Sequence, residues 1–174
     1  MRCLSKKMHS RTLIVSVLVV LAAAVPAAAA HRRDVSRSPD LWATVNICDT
    51  TAHPDVIGIR GSMPGLGKRS SLFMRFQVQY LAKSDGKWHN IQQNADSGFQ
   101  KLGVATSRVI ESGWSFKFLP PPGGGAHTLR GAVTFVWKRG GKTVRRIRKV
   151  TEGGHRSTKG ADPDGYSAET CLIS

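Results

Sequence analysis

Acidic side chains are scarce in this chain: 11 Asp and Glu stand against 26 Lys and Arg, a formal charge of +15. The few acids fall mostly in turn-like contexts, which leaves little for carboxylate-based chemistry. Cysteine is nearly absent, with three in 174 residues and no Cys-x-x-Cys. That spacing argues against a redox dithiol or a thiolate zinc site. No stretch carries a convincing helical period and no segment repeats. After residue 30 there is no long apolar run, so nothing beyond that point reads as a membrane-spanning helix.

What is present begins with the N-terminus. Arg2, Lys6, Lys7 and Arg11 precede an apolar core from Leu13 to Val25, then Pro26 and Ala28-Ala29-Ala30. A cationic start, a short apolar core and small residues before a cut are the layout of a secretory signal peptide. An uncleaved anchor needs about 20 apolar residues. The expectation is therefore export, with cleavage after Ala30, and Cys3 leaving with the removed segment. That segment takes away four cations and no acids, so residues 31–174 stay strongly basic. Their length suits one domain. Residues 31–40 are polar and aperiodic and read as a flexible arm, with a single β-domain over 41–174.

Cys48 and Cys171 remain near opposite ends of that domain. In an exported chain an even pair is read as a disulfide tying the first strand to the last. Neither sulfur has a basic or His neighbour in sequence to lower a thiol pKa, which argues against a catalytic thiol.

Short alternating segments make up the rest. Leu72, Met74, Phe76, Val78 and Tyr80 fall on one side of a strand over 72–81, with Arg75, Gln77 and Gln79 on the other. Asp85-Gly86 follows as a hairpin-type turn. Leu129, Gly131, Val133, Phe135 and Trp137 alternate along a second core strand, and Gly140-Gly141 turns it into a basic return strand. Further strands are read at 41–48, 56–60, 87–91, 109–118 and 166–173, with a loop over 61–71 and weak patterning over 92–107. Val144, Ile147 and Val150 recur every third residue, a spacing no regular strand puts on one face. A bulge near Arg145-Arg146 or Arg148-Lys149 would restore part of the register. Seven to nine short strands imply an all-β antiparallel sandwich.

The run RFQVQYLAKSDGKWHNI resembles the hairpin of fibronectin-type-III-like domains, a long alternating strand turning through Asp-Gly into a short one with Trp. LRGAVTFVW is similar to the penultimate strand of the same immunoglobulin-like class. The chain also resembles small secreted domains of high-GC bacteria with one sandwich and one disulfide. The resemblance implies an immunoglobulin-like sandwich acting as a spacer or binding module, with no catalytic residues. It departs from antibody-type domains in lacking their inter-sheet cysteine positions and the tyrosine corner, where His127 and Leu129 stand instead.

Chemical motifs fail in detail. GLGKRS (65–70) lacks the first phosphate-loop Gly, Ser62 standing there, and Arg69 occupies the place of Ser or Thr. Arg60 replaces the Gly that a nucleophile elbow at Ser62 would need. His31, His53, His89, His127 and His155 are scattered, with no His-Glu-x-x-His. Asp162-Pro163-Asp164-Gly165 lacks the third ligand and distal Glu of a calcium loop and reads as a turn. No catalytic residue, metal or cofactor is assigned.

Charge is what remains. Arg130, Lys138, Arg139, Lys142, Arg145, Arg146, Arg148 and Lys149 gather on the hairpin, and Glu152 is the one acid between 130 and 160. Such a field captures polyanions in a salt-sensitive way. Outside the cell the candidates are an anionic cell-wall polymer or an anionic membrane surface. Nucleic acid is less favoured, because Phe135 and Trp137 share the apolar face and should be buried rather than interleaved with the cations. The rival account is edge protection: Lys and Arg on an edge strand discourage pairing with another chain. A spacer without ligand, or an enzyme or inhibitor working through loop 61–71 or 120–127, are the other readings. Oligomeric state is left open.

Overall fold

Strict alternation builds the larger of two sheets. In a computed structural model, which describes residues 34–155 and 158–174, Leu72, Met74, Phe76 and Val78 are fully buried along strand β3 (Ser70–Leu81). Strand β7 (His127–Arg139) runs antiparallel beside it, with Leu72 opposite Trp137, Met74 opposite Phe135 and Phe76 opposite Val133. Side chains directly opposite in a ladder share a face, so both strands press their large apolar residues to one side. The expected export segment, 1–30, lies outside the described residues.

The remaining strands complete two layers. β1 (Trp42–Cys48), β2 (Val56–Pro64) and β6 (Val109–Lys117) form a three-stranded sheet in the order β1-β2-β6. The other sheet has the order β4-β3-β7-β8, with β4 (Trp88–Asn90) and β5 (Asp96–Ala105) beside β3, and β8 (Lys142–Val150) and β9 (Thr170–Ile173) beside β7. All these strand pairs are antiparallel. The architecture is an immunoglobulin-like β-sandwich of nine strands among the described residues.

The core lies between the layers, with Ile57, Ile59 and Met63 of β2 packed in one cluster with Phe76, Val133, Phe135 and Trp137. Trp137 is wholly buried, and its indole Nε1–H donates to the Pro64 carbonyl at 2.8 Å, linking the two sheets. Two glycines allow close approach. A Cβ on Gly131 would sit 2.7–2.8 Å from Thr151 and Ile59, and one on Gly61 would meet Met74 Sδ at 3.1 Å.

The disulfide joins Cys48 at the end of β1 to Cys171 in β9, across 123 residues of sequence. The segment after β8 covers the other edge of β1: Val45 and Ala168 exchange two backbone hydrogen bonds, and Asp162 N–H donates to the Asn46 carbonyl.

Several local expectations differ from the structure. The segment read as a flexible arm is, from Asp34 on, a short 3-10 helix (Val35–Arg37) capped by Asp34, with Val35 packed against the core. A polar sequence hid this, because its single apolar anchor is Val35. Residues 61–64 continue β2 instead of opening a loop, since Gly61 lies flat against Met74 and Phe135. The weakly patterned 92–107 contains β5, whose register on β3 shifts twice, between Leu72 and Phe73 and between Arg75 and Gln77. Each shift breaks the period of two. The irregularity in β8 lies at Val144, where Trp137 pairs with Arg145 but Lys138 with Thr143. That places Ile147 opposite Phe135 on the core side, while Val150 lies opposite Ala132 on the other side.

Candidate functional site

The second face of the larger sheet points to solvent, and its composition follows from the register. One row across the strands reads Phe99 (β5), Arg75 (β3), Thr134 (β7), Arg148 (β8); the next reads Lys101, Phe73, Val136, Arg146. Lys138 and Arg130 continue this face along β7, opposite Ser71 and Gln79. Six cations from four strands therefore share one face with Phe73 and Phe99, and Trp88 of β4 borders it opposite Leu81.

The aromatics and cations are paired. Arg130 Cζ lies 4.2 Å from the Trp88 ring centroid, and Lys138 Nζ lies 4.9 Å from that of Phe73. Arg75 and Arg146 flank Phe99 at 5.7 and 5.8 Å. Backbones of neighbouring strands are about 4.8 Å apart, so Phe99 and Arg146 spring from chains roughly 14 Å apart. They meet only because both side chains lie flat across the sheet. Val136 and Ala132 are buried although their phase on β7 points them away from the core. Each such pair contributes about 0.5–2 kcal/mol, depending on how dry it is, and restricts where the cation can lie.

Hydrogen bonds fix two of these groups further. Arg130 Nε donates to Gln79 Oε1 at 3.0 Å, and Gln79 in turn donates to Asn90. Arg75 Nε donates to both oxygens of Asp96 at 2.8 and 3.0 Å. This fork holds the Asp96 carboxyl below its ordinary value, with Gly98 N–H and Gln77 adding to it against a partial desolvation. Arg130 is pushed the other way. Burial first, then the positive charge of Arg148, lower it from its ordinary value, and Glu169 opposes them. Arg130 and Arg148 thus repel each other across the face.

The eight cations of the hairpin do not form one patch. Arg130, Lys138, Arg146 and Arg148 lie on the open face. Arg145 and Lys149 have the phase of Trp137 and Val133 and stand at the rim of the core side. Arg145 is ion-paired to Asp34. Arg139 Nε donates to Ser70 Oγ at 3.2 Å, and Lys142 sits at the turn. Arg75, Lys101, Phe73, Phe99 and Trp88 join the site without having been picked out from sequence. Phe73 shares the outward phase of Arg75 in LFMRFQVQYL, a signal that could have found it. Phe99 gives none, because the bulges of β5 erase its phase.

Other candidate residues are occupied structurally. His53 Nδ1 lies 2.9 Å from Asp162 Oδ2, and Thr50 also donates to that carboxylate. Thr50 first and His53 second hold Asp162 below its ordinary value, and together they fasten the 49–55 turn to the 158–166 loop. His89 bonds Asp85 at 2.8 Å. His155 stacks on Trp42 with centroids 4.6 Å apart, and His127 opens β7. The 120–126 connector borders an open cleft with Tyr80, Leu81 and Lys83, and no carboxylate lines it.

No family model and no curated protein matches this chain. A solved structure described as a β-galactosidase from Bacteroides fragilis is similar over 78% of this chain, at 9% identity and a TM-score of 0.34. The match spans 18% of that protein's length, too little and too distant to transfer an activity.

Proposed function

We propose that this protein is an exported, non-enzymatic binding module that holds an anionic cell-envelope polymer on the open face of its larger sheet. The observation that carries the reading is the array of cations from β3, β5, β7 and β8, four of them laid against aromatic rings. A cationic edge strand alone is adequately explained as protection against pairing. Arg75, Arg130 and Lys138 stand on the central strands β3 and β7, where edge protection does not account for them. The basic N-terminal region, the apolar core and the alanine run support export, and a disulfide suits that setting.

Arginine predominates, which suits forked contacts to phosphate or carboxylate groups. Trp88, Phe73 and Phe99 spend ring surface on the protein's own cations, so they position charge rather than offer a platform for stacked bases. This favours an anionic polymer recognised by charge over single-stranded nucleic acid.

Retention on isolated envelope of the producing cell, eluted with increasing salt, tests the proposal. The wild-type protein is expected to bind and to elute at moderate salt. The Arg130→Glu/Arg146→Glu/Arg148→Glu variant is expected in the unbound fraction. Equal elution of the two would leave the open face without a role and return the cations to edge protection.

A further inference from the structure

Among the described residues, three long strands leave one edge unpaired: β5 and β8 in the larger sheet and β6 in the smaller. Two of them are blunted in the ways that edges ordinarily are. β5 is broken by two register shifts, and β8 has its own shift and carries Lys142, Arg145, Arg146, Arg148 and Lys149. β6 has neither device. Its nine residues pair with β2 in unbroken register from Val109 to Lys117. Val109 and Trp114 on it, and Leu119 just beyond, are 42%, 42% and 79% exposed.

Backbone phase decides which groups are free. Phe118 N–H donates to the Asp55 carbonyl, and Gly65 N–H donates to the Arg108 carbonyl. Even-numbered residues of this strand therefore turn their peptide groups toward β2. In an antiparallel ladder the alternate residues, 109, 111, 113, 115 and 117, turn theirs outward.

We infer that β6 pairs antiparallel with β6 of a second copy of this chain, about a two-fold axis at Trp114. In that register Glu111 of one copy faces Lys117 of the other, twice by symmetry. Val109 faces Leu119, Ile110 faces Phe118, and the two Trp114 side chains meet on the axis. The hydrogen-bonded pairs fall on odd residues, as the free peptide groups require, and the axis falls on a non-hydrogen-bonded pair. Shifting the axis by one residue to Gly113 would set Glu111 against Ser115 and Lys117 against Val109. Charge complementarity thus selects one register of a self-complementary, closed interface. Within one copy Glu111 is 3.6 Å from Arg60 and Lys117 is 3.8 Å from Asp55, loose contacts that leave both side chains able to bridge. The three-stranded sheets become one continuous six-stranded sheet, and each large exposed apolar group on this edge gains a partner. This inference stands independently of the polymer reading.

Sedimentation of the purified protein over a range of concentrations tests it. Wild type is expected to show a reversible monomer–dimer equilibrium. Ser115→Pro removes an outward N–H without touching the β2 ladder and is expected to weaken the dimer at least about tenfold, judged from the loss of two symmetry-related hydrogen bonds. Glu111→Lys and Lys117→Glu each set like charges opposite one another twice and should weaken it on the order of tenfold. The double swap should regain most of the loss. Unfolding midpoints show that each variant is folded. A wild-type protein monomeric to about 1 mM would overturn the inference. So would a dimer indifferent to Ser115→Pro or to the charge swaps.

Discussion

Trp137→Phe isolates the bond that ties the two sheets together. The indole is fully buried and its Nε1–H reaches the Pro64 carbonyl at 2.8 Å. Phenylalanine keeps an aromatic ring in the cluster but strands that carbonyl in the interior, at a cost of about 1–3 kcal/mol. The smaller ring also leaves space that Leu72, Met63 and Phe135 fill only in part, adding about 1 kcal/mol. The sum is about 2–4 kcal/mol. For a domain of this size it corresponds to a fall in melting temperature of roughly 6–15 °C. Urea unfolding of the oxidised protein, with an unchanged m-value, measures it directly. A loss below about 0.5 kcal/mol, the level of an ordinary surface change, would refute the claim that this hydrogen bond closes the sandwich.

Three further outcomes follow from the same packing. Gly131→Ala places a methyl 2.7–2.8 Å from Thr151 and Ile59, both buried, and should destabilise by about 1–3 kcal/mol. Gly61→Ala meets the flexible Met74 at 3.1 Å and should stay within about 1 kcal/mol of wild type; reversal of that order in chemical unfolding would contradict the packing. The Cys48→Ser/Cys171→Ser double variant releases a closed loop spanning 123 residues and should lose about 4–5 kcal/mol. A loss under about 1 kcal/mol would mean that the open chain is already compact when unfolded. Because Asp96 is held below its ordinary value by Arg75, its ion pair stabilises above that value. The contribution is lost as pH falls through the folded-state pKa. Asp96→Asn should therefore narrow the gap in stability between pH 6 and pH 3, and an unchanged gap would exclude this pair as a source of acid sensitivity.

The sandwich was legible where side chains alternate without interruption. Strands β3 and β7 each carry four or five large apolar residues in strict phase, and both are central. β5 was illegible because its two register shifts change which residues face out, so Phe99 and Lys101 gave no pattern. The three-residue spacing of Val144, Ile147 and Val150 suggested an irregular β8, but Ile147 and Val150 lie on opposite faces in regular register. The spacing therefore could not locate the shift, which falls on Val144 and leaves 145–150 regular. The structure puts the shift at Val144, and so Arg146 and Arg148 go to the open face while Arg145 and Lys149 go to the rim. That division turns on a single residue of register. The candidate face was hidden for a further reason: Arg130 meets Trp88, and Arg146 meets Phe99, through strand order that no local pattern encodes. Charge density in the hairpin picked out part of the candidate face, while the partners that organise those charges lie on β3, β4 and β5.

The central claim is that position on the open face, rather than total charge, captures the polymer. It is tested most directly by the affinity of the protein for poly(glycerol phosphate) of defined length, measured against salt for two variants of equal charge. Arg130→Ala/Arg146→Ala/Arg148→Ala should bind at least about tenfold more weakly. Its slope of log affinity against log salt should be shallower by about 2–3, near one unit per lost contact. Lys142→Ala/Arg145→Ala/Lys149→Ala, at the turn and rim, should stay within about threefold of wild type, since charges outside the contact act mainly through a screened field. Equal losses in the two variants would contradict the account and reduce the site to the net charge of the chain.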